Sequence, residues 1–301
     1  LEKEITVTAE MLRVEGSSMG LLAGDKVTLH DLLYGMLLAS GNDAANVTAY
    51  ALGGTIDGFV KMMNDRAKEL GMMNTNFVNC SGLDDDTTEH LTTAYDIALM
   101  SKELLSHERI KTYTTVWMDS LRNGETQLVN TNKLVRFYSG TTGLKTGTTS
   151  KAGHCLSASA QRDGLHLIAV VMGAETRDDR NNAARAMLDF GFSNYALYRD
   201  PECELENIDV MRGLKNETAI YSDEFSKLVK KADKKRITKE FSIADYIVAP
   251  VQNGQVIGEV TYLLDGEVIG KCNIFVKEDI PEIGLKELFT RMIRTIFTGK
   301  Y

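Results

Sequence analysis

Long apolar runs, paired cysteines and an excess of positive charge are all missing from this 301-residue chain. No run approaches the ~18 apolar residues that carry a helix across a bilayer, so no spanning helix is expected. The four cysteines, Cys80, Cys155, Cys203 and Cys272, include no C-x-x-C pair, and neither a zinc site nor a disulfide framework is indicated. They are expected as buried or half-buried small apolar side chains. Being unpaired, they do not fix a redox compartment. Thirty-four Lys and Arg against 42 Asp and Glu give a net charge of -8, which excludes nucleic-acid binding through a general basic surface, though not a local basic patch. His30, His90, His107, His154 and His166 form no H-E-x-x-H or other metal pattern. A metal hydrolase is therefore not expected. Neither G-x-x-x-x-G-K-[ST] nor G-x-G-x-x-G occurs, so no nucleotide-phosphate loop and no cofactor are expected.

What is present is ordinary globular material, 43% hydrophobic and 25% charged, with a length that suits two domains at roughly 100 to 200 residues each. The chain opens with Leu1, not Met, directly into Glu2-Lys3-Glu4-Ile5-Thr6-Val7. An upstream stretch, with any signal peptide, is expected to be missing or removed.

Apolar spacing predicts helices over residues 29–38 and 56–70, the second closed by Gly71. Thr93-Ala94-Tyr95-Asp96 reads as a capping box, with Asp in the Glu position, opening a helix through residue 105. Residues 113–129 alternate around Asn123-Gly124, a hairpin signal. A second hairpin is predicted from residues 155–160 through Arg162-Asp163-Gly164 to 165–172, and a helix over 179–190. Near residues 198–201 the character changes. The next 80 residues hold short strand-like runs with Asn253-Gly254 and Asp265-Gly266 turns, as in a small all-β domain. Within them Lys230, Lys231, Lys234, Lys235 and Arg236 read as a solvated loop. After Pro281, Leu285, Leu288, Phe289, Met292, Ile293, Ile296 and Phe297 form a helical stripe, with Lys286, Arg291, Arg294 and Lys300 on the opposite side. That pattern fits an amphipathic helix lying in a membrane interface. The alternative is a terminal helix docked on its own protein.

Two short motifs carry chemistry. In Ser40-Gly41-Asn42 a hydroxyl and a carboxamide two residues apart can face one cleft, the first relaying a proton and the second holding an amide. Alone it is also what a polar interhelical turn looks like. Lys145-Thr146-Gly147, 103 residues after Asn42 (145 − 42), heads the strand-rich region. A strand edge there offers a cation for a carboxylate, a hydroxyl beside it, and room for a substrate to approach the backbone. Gly140 and Gly143 suit a loop leading in. By itself this too could be a surface turn.

Ser-x-Asn and Lys-Thr-Gly in this order are the second and third signatures of the penicillin-recognising serine enzymes, whose first is Ser-x-x-Lys. With their longer contexts, LLYGMLLASGNDAA, TNFVNCSGLD, GLKTGTTSKAGHCLSASA and VVMGAETRDDRNNAARAMLDFGF, the chain resembles the low-molecular-mass penicillin-binding proteins that act as D-alanyl-D-alanine carboxypeptidases. The resemblance implies an α+β fold: a β-lactamase/transpeptidase-like domain over residues 1–198, lacking its N-terminal part, a small all-β domain over 199–280, and an amphipathic membrane-anchor helix over 281–301. It implies that Ser40 shuttles a proton between nucleophile and leaving amine, and that Asn42 binds the peptide amide and orients the catalytic lysine. Lys145 and Thr146 would hold the terminal carboxylate or assist proton transfer, Gly147 would let the substrate strand lie close, and the Thr148 N–H would join an oxyanion hole. Arg180 would add a second cation, with Arg177 the rival for that role.

The implied activity is a serine carboxypeptidase trimming peptidoglycan stem peptides that end in D-Ala-D-Ala, inhibited by β-lactams, on the outer face of the cytoplasmic membrane. One departure stands out. No serine here has a lysine three residues later, so the nucleophile is expected upstream of Leu1 and this chain alone is expected to be inactive. Thr142 and Thr148 have Lys145 and Lys151 at that spacing, and both pairs are taken as coincidence. The rivals are a non-catalytic wall-binding or scaffold homologue and a class A type β-lactamase, the latter ranked lower because such enzymes lack the C-terminal β domain and helix.

Overall fold

The computed structural model describes residues 1–84, 86–121 and 126–298. The chain falls into two units, Leu1–Ser193 and Asn194–Tyr301, the first mixed α+β and the second β-rich with a terminal helix.

The first unit opens with two short antiparallel strands, β1 (Glu4–Thr6) and β2 (Lys26–Thr28), and β2 runs straight into helix α1 (Leu29–Leu37). Thr28 caps α1 reciprocally: its hydroxyl accepts the Asp31 N–H at 3.2 Å and the Asp31 carboxylate accepts the Thr28 N–H at 2.8 Å. Two otherwise unpaired backbone donors are satisfied this way. Helix α2 (Asn42–Gly53) follows after a four-residue turn, and its first eight residues are all buried. Leu32 and Leu38 pack with Val47 and Ala44 of α2, and with Met19, Leu21 and Val27, in one apolar cluster. Helix α3 (Ile56–Glu69) ends ahead of Gly71, whose φ of +76° is the left-handed conformation a glycine supplies most readily.

Helix α4 (Ala94–Ser106) is capped by Thr93 as expected, the hydroxyl accepting the Asp96 N–H at 3.1 Å. The return bond is absent. Buried Asp96 instead accepts from the Asn74 N–H at 2.9 Å and the Thr75 hydroxyl at 2.8 Å, tying a distant turn to the helix start. A second correction concerns residues 113 and 114, which belong to a short helix, α5 (Lys111–Thr114), and not to a strand. Tyr113 is buried, its ring edge-on to Tyr34 at 5.0 Å and its hydroxyl 2.8 Å from His30 Nδ1, so tertiary packing overrides the alternating pattern. The hairpin proper is β3 (Met118–Leu121) with β4 (Thr126–Val129), Met118 opposite Val129. Its Asn123-Gly124 signal lies outside the described residues.

After α6 (Leu134–Phe137) comes the antiparallel sheet that carries the site, with strands β5 (Thr141–Thr149), β6 (Gly153–Arg162) and β7 (Leu165–Ala174) in that order. The β6–β7 turn places Asp163 and Gly164 at φ +50° and +80°, the pair of positive angles that tight hairpins need. Central strand β6 is buried from Leu156 to Ala160. Its two serines pair internally, Ser157 with Ser101 at 2.7 Å and Ser159 with Thr142 at 2.8 Å, so burying their hydroxyls leaves no polar debt. Helix α7 (Arg177–Asn194) begins two residues before the apolar periodicity suggested.

In the second unit β8 (Tyr195–Asp200), β9 (Cys203–Met211), β10 (Glu217–Ser222), β11 (Phe225–Lys230), β12 (Ile237–Ile243), β13 (Tyr246–Val248), β14 (Val256–Leu264) and β15 (Glu267–Val276) form a β8–β11 pair and a six-stranded sheet. The sheet order is β12-β14-β15-β10-β9-β13, with only the β13–β9 pairing parallel. Gly254 and the Asp265–Gly266 pair take positive φ at the two expected turns. Tyr262, fully buried, stacks on Phe225 at 3.8 Å and donates its hydroxyl to Asp200 at 2.7 Å. The lysine cluster is exposed along the end of β11 and the following turn. All four cysteines are free and half-buried. Helix α8 (Leu285–Thr298) closes the unit. Among the described residues no helix is long and apolar enough to cross a membrane.

Candidate active site

The site starts from the turn between α1 and α2. Gly41 is buried there: a Cβ on it would lie 2.8 Å from Asp43 Oδ1 and 3.2 Å from the Met19 nitrogen. Only glycine lets the turn close this tightly, and the closure sets Ser40 at φ +60°, an uncommon conformation for a residue with a Cβ. The turn is held from three directions. The Gly41 N–H donates to the Gly35 carbonyl at 3.0 Å, the Asn42 N–H to the Ser17 carbonyl at 2.7 Å, and the Thr131 N–H to the Leu38 carbonyl at 3.1 Å. Asp43 then anchors the Ser18–Leu21 strap, accepting from the Ser18 hydroxyl (2.6 Å) and the N–H groups of Met19 (3.0 Å) and Leu21 (3.1 Å). Burial alone would raise its pKa, but the hydrogen bonds from Ser18, Leu21, Met19 and Ala44 hold it below the usual carboxylate value.

Strand β5 brings the second motif to this turn. Lys145 Nζ donates to Ser40 Oγ at 2.8 Å and to the Thr146 carbonyl at 2.6 Å. Burial, and then the nearby Arg180 guanidinium, lower the Lys145 pKa to about 8. Both effects disfavour the ammonium, so the side chain can give up or take a proton close to neutral pH. The Thr146 hydroxyl is 2.7 Å from that of Thr131. Over Gly147 the protein leaves open space: a Cβ there would find only the Cys155 Cβ, at 4.0 Å. Thr148 is exposed, with its hydroxyl 3.0 Å from His154 Nδ1. β5 is an edge strand of its sheet; Thr114 covers its start by donating to the Thr142 carbonyl, whereas Gly147 and Thr148 are exposed, so an extended chain can lie along that end.

Ser40, Thr146, Gly147, Thr148 and Arg180 all line one cleft of about 430 Å³. Arg180 is only 4% exposed. Its Nη1 lies 3.4 Å from the Cys155 carbonyl, and its pKa is lowered by burial and then by Arg177. Arg177 lines the same cleft, so the two arginines flank it together. Asn42 stands apart. It is 9% exposed, and its Nδ2 donates to the Glu15 carbonyl at 2.7 Å, bracing the segment that carries Ser17. Among the described residues no cluster of His, Cys, Asp and Glu is arranged to hold a metal.

Several lining residues were not singled out from sequence: Ser17, Trp117, Asn130, Thr131, Lys133 and Asn181. One local signal was available. Asn130-Thr131-Asn132 before a helix is an Asx-turn pattern, and Asn130 Oδ1 accepts the Asn132 N–H at 2.9 Å while Asn132 Oδ1 accepts the Leu134 N–H at 3.1 Å. Between the two turns the Thr131 hydroxyl meets that of Thr146 on β5, and Lys133 follows on the lining of the same cleft. Ser17 and Asn181 had no such signal, since only the folded chain brings them to the cleft.

Residues 2–176 match the model of the D-alanyl-D-alanine carboxypeptidase family. The chain belongs to that family. Residues 199–282 match the penicillin-binding protein 5 C-terminal domain, so the two-part layout of these carboxypeptidases extends over most of the sequence. The chain is 40% identical over 277 residues to the D-alanyl-D-alanine carboxypeptidase DacF of Bacillus subtilis, covering 89% of this chain and 70% of DacF. It is 31% identical to DacC of Escherichia coli, covering 90% and 68% respectively. Penicillin-binding protein 5 of Haemophilus influenzae superposes with a TM-score of 0.71 at 28% identity, over 93% of this chain and 83% of that one.

Proposed function

We propose that this cleft serves a serine-type D-Ala-D-Ala carboxypeptidase, releasing the terminal D-alanine of peptidoglycan stem peptides through an acyl-enzyme that β-lactams also form. The observation that carries the reading is the contact between Ser40 and Lys145, 105 residues apart in sequence and 2.8 Å apart in space, with Arg180 on the same cleft. In this reading Lys145, Thr146 and Arg180 hold the terminal carboxylate. With a pKa of about 8, Lys145 is protonated about ten to one at pH 7, so it serves as a cation toward the substrate and as a proton source for Ser40. The Ser40 hydroxyl passes a proton to the departing amine, and Gly147 and the Thr148 N–H receive the substrate backbone and the oxyanion. Asn42 supports the cleft through the Ser17 segment.

The acylating serine is that of the family's Ser-x-x-Lys signature, which is not among these 301 residues. A second reading has its own observation: Ser40 Oγ beside an amine of lowered pKa is itself a hydroxyl–base pair that could be acylated. Intact mass spectrometry after incubation with benzylpenicillin separates them. The expected result is no stable adduct on this chain, and an adduct on the Ser-x-x-Lys serine once a segment bearing that signature is placed ahead of Leu1. An adduct mapped to Ser40 supports the second reading, and no adduct in either protein favours a non-catalytic homologue.

The proposal includes an exported protein held at the outer face of the cytoplasmic membrane by α8. Every described side chain of α8 is exposed, including Leu285 at 87% and Phe297 at 83%. An apolar stripe of this kind is buried only when something else covers it. The Arg291 guanidinium meets Asn216 and the Leu214 carbonyl, which anchors the helix to its unit without covering that stripe.

A further inference from the structure

The cleft has an imbalance that the carboxypeptidase reading leaves unused. Lys133, Arg177 and Arg180 line it, Lys145 donates to Ser40 on its wall, and no Asp or Glu is among its lining residues, in a chain whose net charge is -8. Lys133 and Arg177 are exposed and have no carboxylate partner among the described residues. Of the acids nearest Arg177 in sequence, Glu175, Asp178 and Asp179, none lines the cleft, and Asp179 accepts the Thr176 hydroxyl at 2.6 Å. The cations already oppose one another, since Arg177 lowers the pKa of Arg180 and Arg180 that of Lys145. A bound anion relieves that opposition.

One carboxylate cannot use all of these groups. It offers about four lone-pair sites, and Lys145, the Thr146 hydroxyl and a forked guanidinium at Arg180 fill them. Two exposed cations remain. Two further atoms also await partners: Arg180 Nε and Asn181 Oδ1 are buried with no hydrogen bond among the described residues, and Asn181, 8% exposed, lines the same cleft. Unpaired buried polar atoms are rare enough to require a cause, and a ligand that reorders the Arg180–Asn181 pair supplies one. The volume of about 430 Å³ lies near the small end of ligand clefts, roughly 300–1,000 Å³, so a second anion must lie close to the first.

We infer that Lys133 and Arg177 form a second anion site in this cleft, and that the preferred ligand is an acidic peptide with a side-chain carboxylate immediately before its D-Ala-D-Ala end. The inference rests on the carboxypeptidase reading for the placement of the terminal carboxylate. It assigns substrate choice to Lys133, which follows the Asn130–Asn132 double turn on the cleft lining, and to Arg177, one helical turn from Arg180.

The chain supplies its own reporter, because its single tryptophan, Trp117, lines the cleft. Fluorescence titration, checked by calorimetry, compares N-acetyl-Glu-D-Ala-D-Ala with N-acetyl-Gln-D-Ala-D-Ala, two peptides of nearly equal shape that differ by one charge. The glutamyl peptide is expected to bind about tenfold more tightly at low salt, as one added charge-assisted contact implies. That ratio should shrink in about 0.5 M salt, where exposed charges are screened. In the Lys133→Gln, Arg177→Gln double variant it should fall to within about twofold. Equal affinities in the unmodified chain, or a preference that survives the double variant, overturn the inference while leaving the carboxypeptidase reading in place. Failure of both peptides to bind overturns that reading and the inference with it.

Discussion

Replacing Asp43 with Asn removes one charge and leaves the shape of the side chain intact, so it isolates what the carboxylate does for the strap beside the cleft. In the native arrangement Oδ1 receives the N–H groups of Met19 and Ala44, while Oδ2 receives the Leu21 N–H and the Ser18 hydroxyl. An asparagine keeps the first oxygen. Its NH₂ then faces the Leu21 N–H, donor against donor, although the Ser18 hydroxyl can turn to accept. The lost charge-assisted bond is worth about 1.5 to 3 kcal/mol and the stranded buried N–H about 1 to 3 kcal/mol. With partial relaxation we expect a net loss of about 3 kcal/mol from the first unit. At roughly 2–4 °C per kcal/mol for a unit of this size, its Tm should fall by about 6–12 °C. Urea and thermal melts followed at Trp117, which lies in that unit, read this directly. The pH dependence supplies an independent check. The folded-state pKa of Asp43 lies below its unfolded value, so its stabilisation is fully present above the unfolded pKa, about 3.9, and is lost as pH falls through the folded one. The native protein should show this acid-side loss and the Asn variant should lack that component. A stability change under about 0.5 kcal/mol, the usual range of surface substitutions, would refute the anchoring role.

Two further outcomes follow from the same geometry. Because the Lys145 pKa is lowered to about 8, affinity for a peptide carboxylate should hold below that pH and weaken as pH rises through it, while a Lys145→Met variant should show no such step. A liposome sedimentation assay should recover the chain with anionic vesicles and, more weakly, with neutral ones, and removal of residues 285–301 should abolish both. Equal recovery with and without that segment would mean that α8 docks on protein instead.

How much of this was legible in the sequence depends on whether the signal was local. Ser40-Gly41-Asn42 and Lys145-Thr146-Gly147 stood out because each packs unusual residue types into three positions, and the β6–β7 turn was readable because Asp163-Gly164 supplies both positive φ angles. The capping reading at Thr93 was half right: the hydroxyl bond is local, whereas Asp96 serves the turn at Asn74 and Thr75. Tyr113 looked like part of an alternating strand until its ring met Tyr34 and His30, a contact that spacing cannot show. Asp43 resembled an ordinary first-turn acid, yet three of its four partners lie 22 to 25 residues away. The carboxamide of Asn42 likewise reaches Glu15, 27 residues back, which no reading of the motif alone supplies. The cationic character of the cleft was hidden for a different reason. A net charge of -8 averages over the surface, and only folding gathers Lys133, Arg177 and Arg180 around one volume, with Lys145 bonded to Ser40 on its wall and no acid among its lining residues.

The measurement that tests the central assignment most directly is equilibrium binding of a D-Ala-D-Ala peptide and of its C-terminal amide, to this chain and to its Lys145→Ala variant. If Lys145 and Arg180 hold the terminal carboxylate, the acid should bind at least about tenfold more tightly than the amide, and Lys145→Ala should weaken the acid by about tenfold or more, the range expected for one charge-assisted bond. The amide should be affected far less. Equal binding of acid and amide to the native chain, or an acid affinity untouched by Lys145→Ala, would contradict the assignment of this cleft.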